Sequence, residues 1–173
     1  MKRIVTLLFA LFPLLASAQD EALFSIDGNS LVWRKVYASE TPLDTRAIVY
    51  NLRLSGLFKD IMFDDGLVTC EMTGLKMQYK ELGYKRMSLP IYLSNDTFSG
   101  FVSVEIKPDR YRVTVARILT HNDKLGIVPL EDLATKEDGG FKSDFLQPAG
   151  RIIAFTLNKV FSALQDNNIG DAW

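Results

Sequence analysis

Residues 101–119 read Phe-Val-Ser-Val-Glu-Ile-Lys-Pro-Asp-Arg-Tyr-Arg-Val-Thr-Val-Ala-Arg-Ile-Leu, and this stretch decides the fold. Val102, Val104 and Ile106 alternate with Ser103 and Glu105; Tyr111, Val113 and Val115 then alternate with Arg112 and Thr114. A period of two marks a strand with one buried and one wet face. Lys107-Pro108-Asp109-Arg110 between the runs has the residues of a tight turn. The two runs therefore predict an antiparallel hairpin, and an antiparallel sheet is free to leave one face in water.

Upstream, Val68, Cys70 and Met72 alternate with Thr69, Glu71 and Thr73 behind an Asp64-Asp65-Gly66 turn, which adds a strand. Between it and the hairpin, the apolar residues of segment 75–93 are scattered and interrupted by Gly83 and Pro90. It reads as a hairpin around Leu82-Gly83 and then a strand through Ile91. Leu31 to Tyr37 is another strand, rich in β-branched and aromatic residues. Thr41-Pro42-Leu43-Asp44 has the form of a helix start: Thr41 as cap, Pro42 at the first position, Asp44 completing a capping box. Leu43, Ala47, Tyr50, Leu54 and Leu57 recur at helical spacing as a buried stripe, and Gly56 supplies a stop.

Downstream, residues 120–143 are polar and irregular, with one helical turn near Pro129 to Leu133. A last helix starts at Asp144 or Gln147, with Pro148 in its first turn. It lines one face with Ile153, Leu157, Val160, Phe161 and Leu164 and ends at Asn167-Asn168 and Gly170. The order strand, helix, meander of four or more strands, helix predicts an α+β two-layer sandwich with both helices on one face of an antiparallel sheet.

The first residues carry an export pattern. Lys2 and Arg3 precede an apolar run from Ile4 to Leu15, and Ala16-Ser17-Ala18 offers a small-x-small cleavage triplet. Twelve residues of helix rise only about 18 Å, against a hydrocarbon core of about 30 Å. Residues 1–18 therefore predict a cleaved signal peptide, with residues 19–173 as one α+β domain and no transmembrane segment. Position 19 is Gln, not the Cys that lipidation needs. The expected location is the periplasm or the medium.

Chemistry is sparse. Removing Lys2 and Arg3 from 20 basic residues leaves 18 against 21 acidic ones, a balance that argues against nucleic acid as a partner. Cys70 is the only cysteine and His121 the only histidine, so Cys/His zinc sites and HExxH are excluded, as is an intrachain disulfide. Cys70, between Val68 and Met72 on one strand face, reads as a buried thiol. His121, Asn122 and Asp123 fall in the irregular stretch without a GxSxG turn. The carboxylate pairs Asp64-Asp65, Glu131-Asp132 and Glu137-Asp138 are adjacent in sequence and do not aim at one point. No phosphate loop or EF-hand spacing occurs, and no cofactor is expected.

Two surfaces could bind. Segment 75–93 interleaves Tyr79, Tyr84 and Tyr92 with Lys85 and Arg86, and also Lys76 and Lys80, as suits an acidic or sugar-bearing partner. The same residues also suit a hairpin whose long side chains cover its own edge. The sheet face opposite the helices would carry Thr69, Glu71, Thr73, Ser103, Glu105, Arg112 and Thr114, which equally suits a solvated face.

The Trp33–Tyr37 strand, the capped helix from Thr41, the hairpin around Pro108-Asp109 and the terminal helix resemble a family of uncharacterised exported proteins from Gram-negative bacteria. Their domain of unknown function is described as having a TATA-box-binding-protein-like fold. The resemblance covers about Phe24 to Leu164 and implies that fold; it brings no catalytic residues, and a fold does not carry its namesake's DNA binding. The expected function is a non-enzymatic binding module of the cell envelope, its partner an envelope protein or a small ligand. The alternative is an envelope hydrolase built on acidic residues or on His121 in the 120–143 loop. A structural subunit pairing through a sheet edge is a third reading.

Overall fold

The computed structural model describes residues 23–28, 30–124 and 126–165. The expected signal peptide, the helix end at Asn167-Asn168 and Gly170, and the terminal Trp173 lie outside them. Among these residues seven strands form one antiparallel sheet: β1 (Leu23–Asp27), β2 (Ser30–Ala38), β3 (Phe58–Asp64), β4 (Leu67–Leu75), β5 (Thr97–Lys107), β6 (Arg110–Asn122) and β7 (Gly126–Pro129). Their order is β1-β2-β6-β5-β4-β3, with β7 also paired to β6. The helices are α1 (Thr45–Leu54), α2 (Ile91–Asn95), α3 (Leu130–Ala134) and α4 (Gly150–Ser162). This is the expected α+β architecture with more elements than the sequence pattern announces.

The decisive hairpin forms as read. β5 and β6 pair from Lys107↔Arg110 to Thr97↔His121, joined by Pro108-Asp109. Val102, Val104, Tyr111, Val113 and Val115 are buried on the helix side. The register then shifts between Ser99 and Phe101, where β6 holds an extra residue and Arg117 has φ of 50°. Such a bulge exchanges the faces of the strand beyond it. Tyr111, Val113 and Val115 face the core before it; Ile118 and Thr120 are the buried ones after it.

The core is knit by aromatics from separate elements. Trp33 of β2 stacks on Phe161 of α4 with centroids 5.8 Å apart, and Phe58 of β3 meets the same ring at 5.7 Å. Tyr37 and Tyr111 stack at 4.8 Å; their hydroxyls donate to Asn158 Oδ1 (3.2 Å) and to the Phe161 carbonyl (2.6 Å). Rings that bring their own hydrogen-bond partner cost little to bury. Cys70 is buried here, and burial pushes its thiol up to about 12, so it stays protonated.

Four expectations need correction. Helix α1 begins at Thr45, with Asp44 as its cap accepting from the Arg46 amide at 2.8 Å. The Leu43 amide instead donates to the Pro108 carbonyl, which ties Thr41–Leu43 to the β5–β6 turn and delays the helix. The buried stripe is Ile48 and Leu52, while Tyr50 and Leu54 are exposed. Segment 75–93 holds no strand beyond Leu75, the last residue of β4: it is a set of turns, a 3-10 turn (Arg86–Ser88) and α2, entered through Pro90. Residues 120–143 are largely ordered by the sheet. β6 continues to Asn122, β7 pairs back on it, α3 supplies the single expected helical turn, and Thr135 bridges Phe141. Helix α4 starts only at Gly150, because the residue before Pro148 is driven to extended backbone and Gln147 adopts φ −145° and ψ 118°. Ile153, Leu157 and Phe161 are buried on it as the spacing predicts.

Candidate functional site

The helices cover one face of the sheet. The other carries the residues that alternate away from the core, and the pairing registers lay them out in rows. Thr69, Ser103, Thr114 and Arg34 form one row across β4, β5, β6 and β2. Arg34 Nε donates to Thr114 Oγ1 at 3.4 Å. In the next row Arg112 donates through Nη2 to both Glu105 oxygens at 2.6 Å. Both side chains are well exposed, so solvent screens the pair and it adds little stability. On the other side of the hydroxyl row Glu71 opposes Phe101, and the Arg117 guanidinium sits 5.0 Å from the Phe101 ring centroid. That is cation–π geometry. Val36 and Met62, 52% and 66% exposed, flank this face on β2 and β3. All seven residues expected on the open face lie on it, but its centre, Phe101 under Arg117, was not among them.

Ser99 and His121 meet on the same face, Ser99 Oγ lying 2.6 Å from His121 Nε2; the tautomer decides which donates. His121 is a strand residue here, not a loop residue. It reaches this face because the bulge at Arg117 exchanges the faces of β6. Among the described residues no carboxylate bonds the imidazole, and no three His, Cys, Asp or Glu side chains converge as a metal site.

The five binding candidates of the 75–93 segment do not form one exposed patch. Tyr79 is only 8% exposed and belongs to the hydrophobic core; Tyr84 and Tyr92 are half-buried against it. The Tyr84 amide donates to the Tyr79 carbonyl at 3.1 Å, closing the turn around Gly83. Lys85 is exposed, and Arg86 Nη2 donates to Asn95 Oδ1 at 2.7 Å. A cleft of about 370 Å³ does lie on this segment, between residues 76–81 and the end of α2, and Tyr79 lines it. The other four candidates do not. Its buried carboxylate, Asp96, left no mark in the sequence pattern, because a lone Asp before a strand reads as a turn residue.

Burial, and then the nearby Asp144 carboxylate, push the Tyr92 phenol up to about 12 from 10.0. A raised acid pKa favours the neutral phenol in the fold. Its stabilising share is complete below pH 10 and is lost as pH rises from 10 toward 12. The urea midpoint of the wild type should therefore fall more steeply over that range than that of Tyr92→Phe. Parallel slopes would show that Tyr92 ionises freely in the folded protein.

No family model and no curated relative matches this chain. Two solved structures are similar to it in shape. A TBP-like protein from Parabacteroides distasonis has a TM-score of 0.48 at 10% identity, covering 82% of this chain and 97% of its own. A DUF4468 family protein from Bacteroides ovatus has a TM-score of 0.43 at 14% identity, covering 81% and 83%.

Proposed function

We propose that the protein is an exported, non-enzymatic binding module of the cell envelope that meets a protein partner with the bare face of its sheet. One observation carries this reading: a face that no helix among the described residues covers has a cation–π pair, Arg117 on Phe101, at its centre. Arginines and aromatics dominate the energy of protein contacts, and here they are set among short hydroxyls that leave room for a partner. Apolar Val36 and Met62 extend the contact area. Export rests on residues 1–18, and the first residue of the mature protein should be Gln19. Among the described residues no helix is long and apolar enough to cross a membrane.

The test is capture of envelope proteins on immobilised mature protein, repeated with Arg34→Glu/Arg117→Glu and with Lys85→Ala/Arg86→Ala. A partner lost with the first pair, by at least about tenfold in retained material, and kept with the second is the expected result. The opposite pattern would move the interface to segment 75–93 and overturn the assignment of the face.

The Ser99–His121 contact favours one second reading, an envelope hydrolase with Ser99 as nucleophile and His121 as base. Ser99 lies within β5 where the register shifts against both neighbouring strands. That reading requires covalent capture of Ser99 by a fluorophosphonate, abolished in His121→Ala; an unlabelled Ser99 excludes it.

A further inference from the structure

The cleft between residues 76–81 and the end of α2 lies on a different surface from the bare sheet face, and its polar groups are unevenly satisfied. Asp96 lines it and is only 5% exposed; its Oδ1 accepts from Asn122 Nδ2. Gln78 lines it too, and its side-chain oxygen is buried with no hydrogen-bond partner. The Gln78 backbone is fixed, its amide donating to Thr156 Oγ1 at 3.0 Å, so the residue is held in place against α4. Folded proteins leave few buried acceptors unpaired, and those they leave call for an explanation.

Charge of the opposite sign stands at the same cleft. Lys76 and Lys80 line it, and among the described residues neither makes an ion pair. The second acid there, Glu81, is already neutralised by Lys159 Nζ, 2.8 Å from each carboxylate oxygen. Leu93 and Met77, both buried, add apolar wall. The volume of about 370 Å³ falls at the lower end of the range of small-molecule sites.

From this pattern we infer that the cleft binds a small zwitterion, a free α-amino acid with an apolar side chain. Its ammonium carries three donors and serves the Asp96 carboxylate, which lines the cleft. A charged donor to a buried carboxylate is the stronger hydrogen bond. Its carboxylate meets Lys76 and Lys80, and its side chain meets Leu93 and Met77. A plain carboxylate or phosphate would satisfy the lysines and leave the Asp96 carboxylate without a cationic partner. A polyamine would satisfy that carboxylate and be repelled by the lysines.

Calorimetric titration of the mature protein with L-leucine, L-methionine and L-phenylalanine tests this, beside 4-methylpentanoate, which lacks the ammonium, and 3-methylbutylamine, which lacks the carboxylate. At least one amino acid should bind, and each truncated analogue should bind at least about tenfold more weakly. Lys76 and Lys80 are exposed, so Lys76→Ala/Lys80→Ala should keep the wild-type melting temperature while weakening the amino acid at least about tenfold. Lys85→Ala, away from the cleft, should leave affinity unchanged. Absence of binding by all three amino acids at about 10 mM, a range where affinity would be negligible, overturns the inference. So does 4-methylpentanoate binding as tightly as leucine, or unchanged affinity in the double lysine variant.

Discussion

Phe161→Ala should cost about 3–5 kcal/mol of folding stability, among the largest losses expected of a single truncation among the described residues. The ring is fully buried and touches two other rings from different strands, Trp33 at 5.8 Å and Phe58 at 5.7 Å. Its backbone carbonyl also accepts the buried Tyr111 hydroxyl at 2.6 Å, so the site is pinned from β6 as well. Surroundings pinned from three strands collapse poorly into a cavity, and poor collapse is what moves a truncation to the high end of its range. A domain of this size has roughly 5–15 kcal/mol in total. The variant should melt about 10 °C or more below the wild type, while Phe161→Leu, which keeps most of the volume, should lose less than half as much. A truncation costing under about 1 kcal/mol would mean that α4 does not pack on β2 and β3 as described.

What the sequence disclosed follows from where each segment lies. The β5–β6 hairpin is legible because it occupies the middle of the sheet, with one face against helices and one bare, so its residues alternate without exception from Val102 to Glu105 and from Tyr111 to Val115. β3 is an edge strand, exposed along most of its length and bulged, with Asp60 at φ 50°. With no second strand to pack against, nothing imposes alternation, and Phe58 to Asp64 shows none. The 75–93 segment misled because its buried residues, Leu75, Met77, Tyr79, Leu89 and Leu93, follow a chain that winds beside α4 in turns. Leu75 ends β4 and Leu93 lies in α2, while Met77, Tyr79 and Leu89 between them belong to no helix or strand.

The candidate site was half legible for a related reason. The hydroxyl row and the Glu105–Arg112 pair follow from strict alternation and the hairpin register. Phe101 under Arg117, and Ser99 beside His121, depend on the bulge. Its trace in the sequence is a break of period: Val115 and the next buried residue, Ile118, are three apart where a strand demands two. Reading that break would have moved His121 from a loop to the bare face. The cleft left no such trace, since Gln78, Asp96 and the two lysines are brought together by turns alone.

The bulge itself rests on Gly100, and Gly100→Val should cost about 1–3 kcal/mol. A Cβ at this position would stand 3.2 Å from Val115 Cγ1 and 3.3 Å from the Ala116 carbonyl oxygen, with the Ile118 Cα at 3.6 Å. These contacts include backbone of the bulged strand, so no side-chain rotation relieves them all. Gly100 is therefore required for close approach between β5 and β6, not for an unusual backbone angle. Two forms of relief are open to the variant, and they are separable. If β6 keeps its extra residue, the urea midpoint falls and the His121 ring resonances stay where they are. If the strands re-register to remove the bulge, the faces beyond Arg117 exchange, His121 leaves Ser99, and its ring resonances move with the loss of the 2.6 Å contact. The first result is expected, because re-registering would also turn Ile118 and Thr120 out of the core. Ser103→Val, on the bare face of the same strand, should change stability by no more than about 0.5 kcal/mol. Equal stability of Gly100→Val and the wild type would refute the close packing of the two strands, and with it the reason for Phe101, Arg117, Ser99 and His121 sharing one face.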